Sequence, residues 1–412
     1  MNNELTTRSQ FVYDDRVHTG KNACASDRSL TTSSQLNRSQ STTSPLKRAK
    51  LLYDKIVAAG DSIDEYREIP SDLIAEMKNA NLLRLLVPQR LGGDEMDWYE
   101  YLDVIFTIAH ADGSVGWCIN QGNVFATNAA REPVELAKEI WGVPEGSCGN
   151  GPPIGATSKS VSGGYSLSGK WIFSSGCRHA NWLAALVTSA SHPPRLHFMP
   201  KDEIELIDNW QVRGLRGTGS FGFSCEDYFV PGHRVMRMDL PHIEQGPIYK
   251  IPQSLMFACG FGCVALGVAR SGLDSVIELS HSKKPQFGKL TLAQDPVVQS
   301  KIGLAEGLFG GAKAFLYETV GEVWENVKAN GMISLDERLR LRLAGTHAIR
   351  QSAQVVDIVY NLTGSNAIFE STVIQRKFQD IHVITQQIQG RESHYQTVGA
   401  HLLGESPEGG VY

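Results

Sequence analysis

The stretch Gly163–Trp182, GGYSLSGKWIFSSGCRHANW, decides how this chain is read. Tyr165 and Leu167 alternate with small polar residues, Gly169 interrupts the run, and Trp171-Ile172-Phe173 resumes it as an apolar strand. The pattern predicts a short hairpin pair. Its second strand runs into Ser174-Ser175-Gly176, where two hydroxyls and a flexible backbone stand beside large flat side chains. Such a place suits a flat cofactor with polar edges, and it equally suits a plain strand that closes in a turn.

Outward from that stretch, residues 146–235 keep the same texture. Glycine, serine and threonine rise, and strands are predicted at Leu183–Thr188, Leu196–Met199, Ile204–Ile207 and Asp227–Val230. On either side the period is helical. Leu51, Ile56, Ile63, Leu73, Met77 and Leu82 form apolar stripes, and Asp112-Gly113-Ser114 caps a helix carrying Val115, Trp117 and Ile119. Further on, helices are predicted over 258–279, 299–330, 334–360 and 371–389. The fold class is therefore α+β, mainly α. A polar tail, expected to be disordered, covers 1–44; a helical domain 45–145; a β-domain 146–250; and a helical bundle of four helices 251–412. Asp14, Asp15 and Glu4 argue against a transit peptide in the tail.

Composition narrows the function. The 412 residues carry a formal net charge of −5, which leaves no basic footprint for nucleic acid. No run of about eighteen consecutive apolar residues marks a membrane span, and a cytoplasmic chain is expected. None of the seven cysteines forms a C-x-x-C pair and the histidines do not cluster, so no metal site is expected.

Several strings together resemble the acyl-CoA dehydrogenase superfamily over roughly residues 48–403. Gly169-Lys170-Trp171-Ile172-Phe173-Ser174-Ser175-Gly176 is similar to its flavin-facing strand, and Ala265–Leu273 to its A-L-G-x-A-R-x-A-L helix. Lys284-Pro285-Gln286-Phe287-Gly288 stands at its R-x-x-F-G position, and Leu362-Thr363-Gly364-Ser365-Asn366 at its L-G-G-x-G loop. The dehydrogenases' catalytic glutamate is not matched. Glutamine stands there in Gln386-Gln387-Ile388-Gln389-Gly390, and an amide cannot remove an α-proton. A closer resemblance is to the superfamily's oxygenase components of two-component flavin monooxygenases, the branch acting on hydroxyphenylacetates, dibenzothiophenes and indole-3-acetate. Its signatures are matched by Trp210–Val230 (WQVRGLRGTGSFGFSCEDYFV), Ser175–Trp182 and Asp112–Trp117.

That resemblance implies a three-part acyl-CoA dehydrogenase-like fold, reduced FAD supplied by a separate reductase (FMN as the alternative), and a homotetramer. It implies oxygen transfer from a C4a-hydroperoxyflavin to a small aromatic, an indole derivative ahead of a phenol. Acyl-CoA oxidation and N- or S-oxygenation are the competing activities. Phe173, Ser174, Ser175 and Gly176 would meet the flavin ring, and Lys284, Phe287, Thr363 and Gly364 the rest of the cofactor. Ser175 is the candidate hydroxyl near flavin N5, with Ser174 its neighbour. His382 is the second catalytic candidate, because Gln387 occupies the position where the branch carries a histidine. Trp117, His179 and Gln387 are candidates for the substrate side, each also readable as an ordinary core or turn residue.

Overall fold

The computed structural model describes residues 43–131 and 133–407. The tail expected over 1–44 falls outside them except at its end, where Ser44 caps the first helix by accepting from Lys47 N. Six helices lead among the described residues: α1 Pro45–Ala58, α2 Gly60–Tyr66, α3 Ser71–Asn79, α4 Trp98–Ala111, α5 Gly113–Ala126 and α6 Val134–Trp141. Asp112 caps α5, its carboxylate accepting from Val115 N over 3.0 Å, as the sequence predicts.

The strands follow: β1 Cys148–Gly151, β2 Pro153–Val161, β3 Gly164–Trp171, β4 Trp182–Val187, β5 Arg195–Pro200, β6 Glu205–Ile207, β7 Gly222–Pro231 and β8 Val235–Arg237. They form two four-stranded sheets, ordered β1-β4-β5-β8 and β2-β3-β7-β6, with β1 parallel to β4 and all other pairs antiparallel. Leu167, Trp171, Leu183, Met199 and Phe223 fill the space between the sheets. On its other face the first sheet packs Ala184, Leu196 and Phe198 against Phe125 of α5 and Trp141 of α6. The first sheet is thus a buried middle layer that fixes the β-domain to the helices.

Long helices complete the chain: α7 Gln253–Ser282, α8 Pro296–Asn330, α9 Leu335–Thr363, α10 Val373–Gln386 and α11 Ser393–Leu402. Helix α7 is long and apolar enough to cross a membrane, but 83% of its most apolar window is buried inside the protein. Its glycines bring neighbours close. A side chain at Gly267 would strike Ala109 of α4, and one at Gly345 of α9 would strike the backbone of Ala258.

Three expectations are corrected. Gly169 does not divide a hairpin; β3 is continuous, and the register against β7 shifts between Leu167 and Gly169 as a bulge. Strands β1, β2 and β8 went unpredicted, and β2 is exposed along most of its length, so no apolar alternation marks it. Helix α10 ends at Gln386, three residues early, because Gln387 is extended and its side chain caps the next turn at Gln389 N.

Candidate active site

A cavity of about 630 Å³ opens where α5, the turn after β3, the loop 210–220, α7 and the end of α10 meet. That volume falls in the range of small-molecule sites, roughly 300–1,000 Å³. One wall is a ladder of rings. Trp117 stacks on Phe261 at 3.9 Å and 25°, and Phe261 stacks on Phe257 at 5.8 Å and 11°. Phe173 also lines the cavity, with its ring perpendicular to Trp210 at 6.0 Å. Its backbone is left-handed, with φ of 55°, a strained conformation for a side chain of this size.

Bonded to the first of these rings is a chain of hydroxyls whose direction can be worked out. Trp117 Nε1 can only donate, so Ser175 Oγ accepts from it at 3.0 Å. Thr218 donates to Leu215 O at 2.8 Å, which spends its proton. Ser220, 2.7 Å from Thr218 Oγ1, must therefore donate to it, and must accept from Ser175 at 2.7 Å. Each hydroxyl has one proton, and all three are committed. What Ser175 has left for the cavity is a lone pair. Ser220 and Thr218 are buried, while Ser175 is half-buried at the cavity wall. Neither Ser220 nor Thr218 was singled out in the sequence, although both lie in the R-G-T-G-S string that carried the resemblance.

The loop holding this chain is laid against α10. Leu215 N donates to Asp380 Oδ1 at 2.6 Å, and a Cβ at Gly214 would lie 2.1 Å from Gln379 O. Burial raises the Asp380 carboxyl to about 7; Asp112 adds to the rise, while Lys377 and the Leu215 N–H oppose it. Burial also pushes Lys377 down, so both members of this pair are drawn towards their neutral forms.

The remaining sequence candidates are spread over the fold. Gln387 lines the cavity: its Oε1 is held by Gln389 N at 2.9 Å, and its buried Nε2 has no hydrogen-bond partner among the described residues. Ser174 lies outside the lining, fully buried, with its hydroxyl against Gly151 and unbonded. Gly176 and His179 border a separate small cavity behind Ser175, about 20 Å³, room for a single water. Burial, helped by Lys78 and Lys201, lowers His179 to about 4 and leaves it neutral at pH 7.

His382 points elsewhere. Val383, Gln386 and Gln387 face the cavity, whereas His382 lies one position around the helix. Its Nε2 pairs with Asp357 of α9 at 3.0 Å, and its ring packs edge-on against Phe378 at 4.6 Å. A part in chemistry at this cavity does not fit that direction. Lys284, Phe287, Thr363 and Gly364 also lie outside the cavity. Phe287 is 95% exposed, and the Thr363 hydroxyl is spent on Val359 O at 2.9 Å. The two segments are joined by Lys283 rather than Lys284: its ammonium reaches Thr363 O and, at 2.9 Å, Asn366 Oδ1.

Residues 48–132 match the family model of the acyl-CoA dehydrogenase N-terminal domain, and residues 259–391 that of the C-terminal domain. The chain is 32% identical over 353 residues to an indole-3-acetate monooxygenase of Pseudomonas putida, spanning 84% of this chain and 90% of that relative. XiaF from Streptomyces, solved with FADH2 and glycerol, has the same fold, with a TM-score of 0.83 at 20% identity over 89% of this chain and 96% of that one. So does TdsC from Paenibacillus, solved with FMN and indole, with a TM-score of 0.74 at 18% identity over 88% of this chain and 99% of that one. The chain belongs to the acyl-CoA dehydrogenase superfamily, in its branch of oxygenase components of two-component flavin-dependent monooxygenases.

Proposed function

We propose that this oxygenase hydroxylates a small electron-rich aromatic, an indole-type ring, held between the Trp117–Phe261–Phe257 ladder and the flavin. One observation carries this reading: the cavity pairs a wall of stacked rings with a hydroxyl chain and, among the described residues, has no carboxylate in its lining. Without a carboxylate no group there can take the α-proton of a thioester, which argues against acyl-CoA oxidation.

The residues fit a flavin. Ser175 offers an acceptor suited to a ring N–H. Phe173 and Trp210 flank the same space. When bound, the reduced flavin would supply the two electrons that activate O2, one atom of which goes to the ring and the other to water. The protein's own part is to hold the N5 proton through Ser175, orient the substrate on the ring ladder, and keep water out behind apolar walls. Reduced flavin comes from a separate reductase, and we favour FAD over FMN. The exposed Lys284–Phe287 segment and the Thr363–Gly364 turn, joined through Lys283, are our candidates for its adenylate half.

A homotetramer belongs to the same reading. On α8 the glycines 303, 307, 310 and 311 have nothing within 4 Å of a would-be Cβ, and half-exposed Leu304 lies among them. That uncharged face suits close packing by another copy. The buried free thiols suit a reducing cytoplasm.

The test supplies chemically reduced FAD or FMN with oxygen and indole, and follows product by mass and hydrogen peroxide by a coupled assay. The expected result is a ring carrying one added oxygen atom, with little peroxide when the substrate is present. Stoichiometric peroxide and no product from indoles or phenols would overturn it.

A further inference from the structure

Resting on the aromatic-oxygenase reading, we infer that Arg391 binds an acidic side arm on the substrate, so that the preferred substrate is an aromatic carboxylate. Among the described residues, Arg391 is the one charged residue lining the cavity; the others there are apolar or neutral. A cation at the rim of an apolar cavity selects an anion, and a guanidinium selects a carboxylate by geometry.

The local structure keeps this charge free. Among the described residues no carboxylate pairs with Arg391, and the adjacent Glu392 is turned to Arg350 at 3.5 Å. The turn that presents Arg391 is held at each of its carbonyls. Ile388 O accepts from His394 Nε2 at 2.8 Å, Gln389 O from Thr346 Oγ1 at 3.0 Å, and Gly390 O from Arg350 Nε at 2.7 Å. Arg342 holds the Gln389 side chain as well. A group carried on so constrained a turn loses little freedom when it binds.

Arg391 is exposed, so the acid group would sit at the mouth while the ring reaches inward to the stacked aromatics.

The test is calorimetric binding of indole-3-acetate and its neutral amide, indole-3-acetamide, to the full chain, its Arg391→Gln variant and its Arg391→Lys variant. The expected result is that wild type prefers the acid by about tenfold or more. In Arg391→Gln that ratio falls to near one, and in Arg391→Lys it is partly restored with melting temperatures matched. Equal loss of acid and amide binding would overturn the inference, because Arg391 would then only shape the turn. So would a loss of FMN affinity with riboflavin affinity kept, which would assign Arg391 to the flavin phosphate. Turnover separates this from the broader reading. Indole oxidation without acid selectivity sinks only the Arg391 inference, and charge-selective binding without oxidation of any indole sinks only the proposed activity.

Discussion

Leu215 N–H and the Asp380 carboxylate meet at 2.6 Å, and this one bond ties the loop of the hydroxyl chain to the helix that ends in Gln387. Asp112 of the α5 cap, Asp64 of α2 and Lys377 surround the same carboxyl. Its value of about 7 in the fold lies above the roughly 4 of an unfolded aspartate. The folded protein therefore keeps a proton that the unfolded chain has released between those values. The stability this contributes is complete below about pH 4 and is lost as pH rises to about 7. Asp380→Asn keeps an acceptor for Leu215 N and removes the titration. The melting-temperature difference, wild type minus Asp380→Asn, should fall steadily between pH 4 and 7 and then level off. A difference independent of pH would show that Asp380 is ionised throughout.

Gly214 exists because the loop and the helix touch backbone to backbone. A Cβ there would lie 2.1 Å from Gln379 O and 2.7 Å from Asp380 N, and neither atom can rotate away. Gly214→Ala should destabilise by about 3 kcal/mol, the upper end of the usual overpacking cost. Urea unfolding gives the number, and a loss under about 1 kcal/mol would mean the loop moves freely.

His382 supplies the opposite expectation. Its pairing with Asp357 is half-exposed on both sides, a kind of interaction worth roughly 0–1 kcal/mol. His382→Ala should change stability by about 1 kcal/mol at most and turnover by less than about twofold. A tenfold or larger loss of turnover at unchanged melting temperature would return His382 to the chemistry.

What the sequence carried and what it withheld divide along physical lines. Helix–strand–helix order was legible because α3, α7 and β4 bury periodic or continuous apolar runs, and the α5 start was legible because Asp112 caps locally. Ser175 was found through a string, yet its orientation depends on Ser220, forty-five positions away. The end of α10 was not legible. Neither Gly nor Pro stops it; the stop is tertiary, set by Thr346, Arg342 and Arg350 of α9 gripping the following turn. In the fold Gln386 and Gln389 line the cavity, and His382 does not. Arg391 was invisible for the same reason. A lone exposed arginine has no pattern until the turn places it at a cavity mouth.

The hydroxyl chain makes a prediction that single residues do not. Ser220→Ala removes the acceptor of the Ser175 proton while Trp117 continues to donate to Ser175 Oγ. The freed proton of Ser175 can then turn to the cavity, where an acceptor is needed to hold a flavin N–H. Two donors would face each other, so the variant should consume oxygen but lose about tenfold in product formed per oxygen, with the balance released as hydrogen peroxide, for one hydrogen bond worth about 1–1.5 kcal/mol. Ser175→Ala should do the same, since it removes the group that Ser220 orients. Residues acting as one unit are not additive, so Ser175→Ala/Ser220→Ala should be no worse than Ser175→Ala alone. Product and peroxide yields measured together under single turnover with reduced flavin decide it. If Ser220→Ala stays fully coupled, or if the two losses multiply, Ser220 does not act through Ser175.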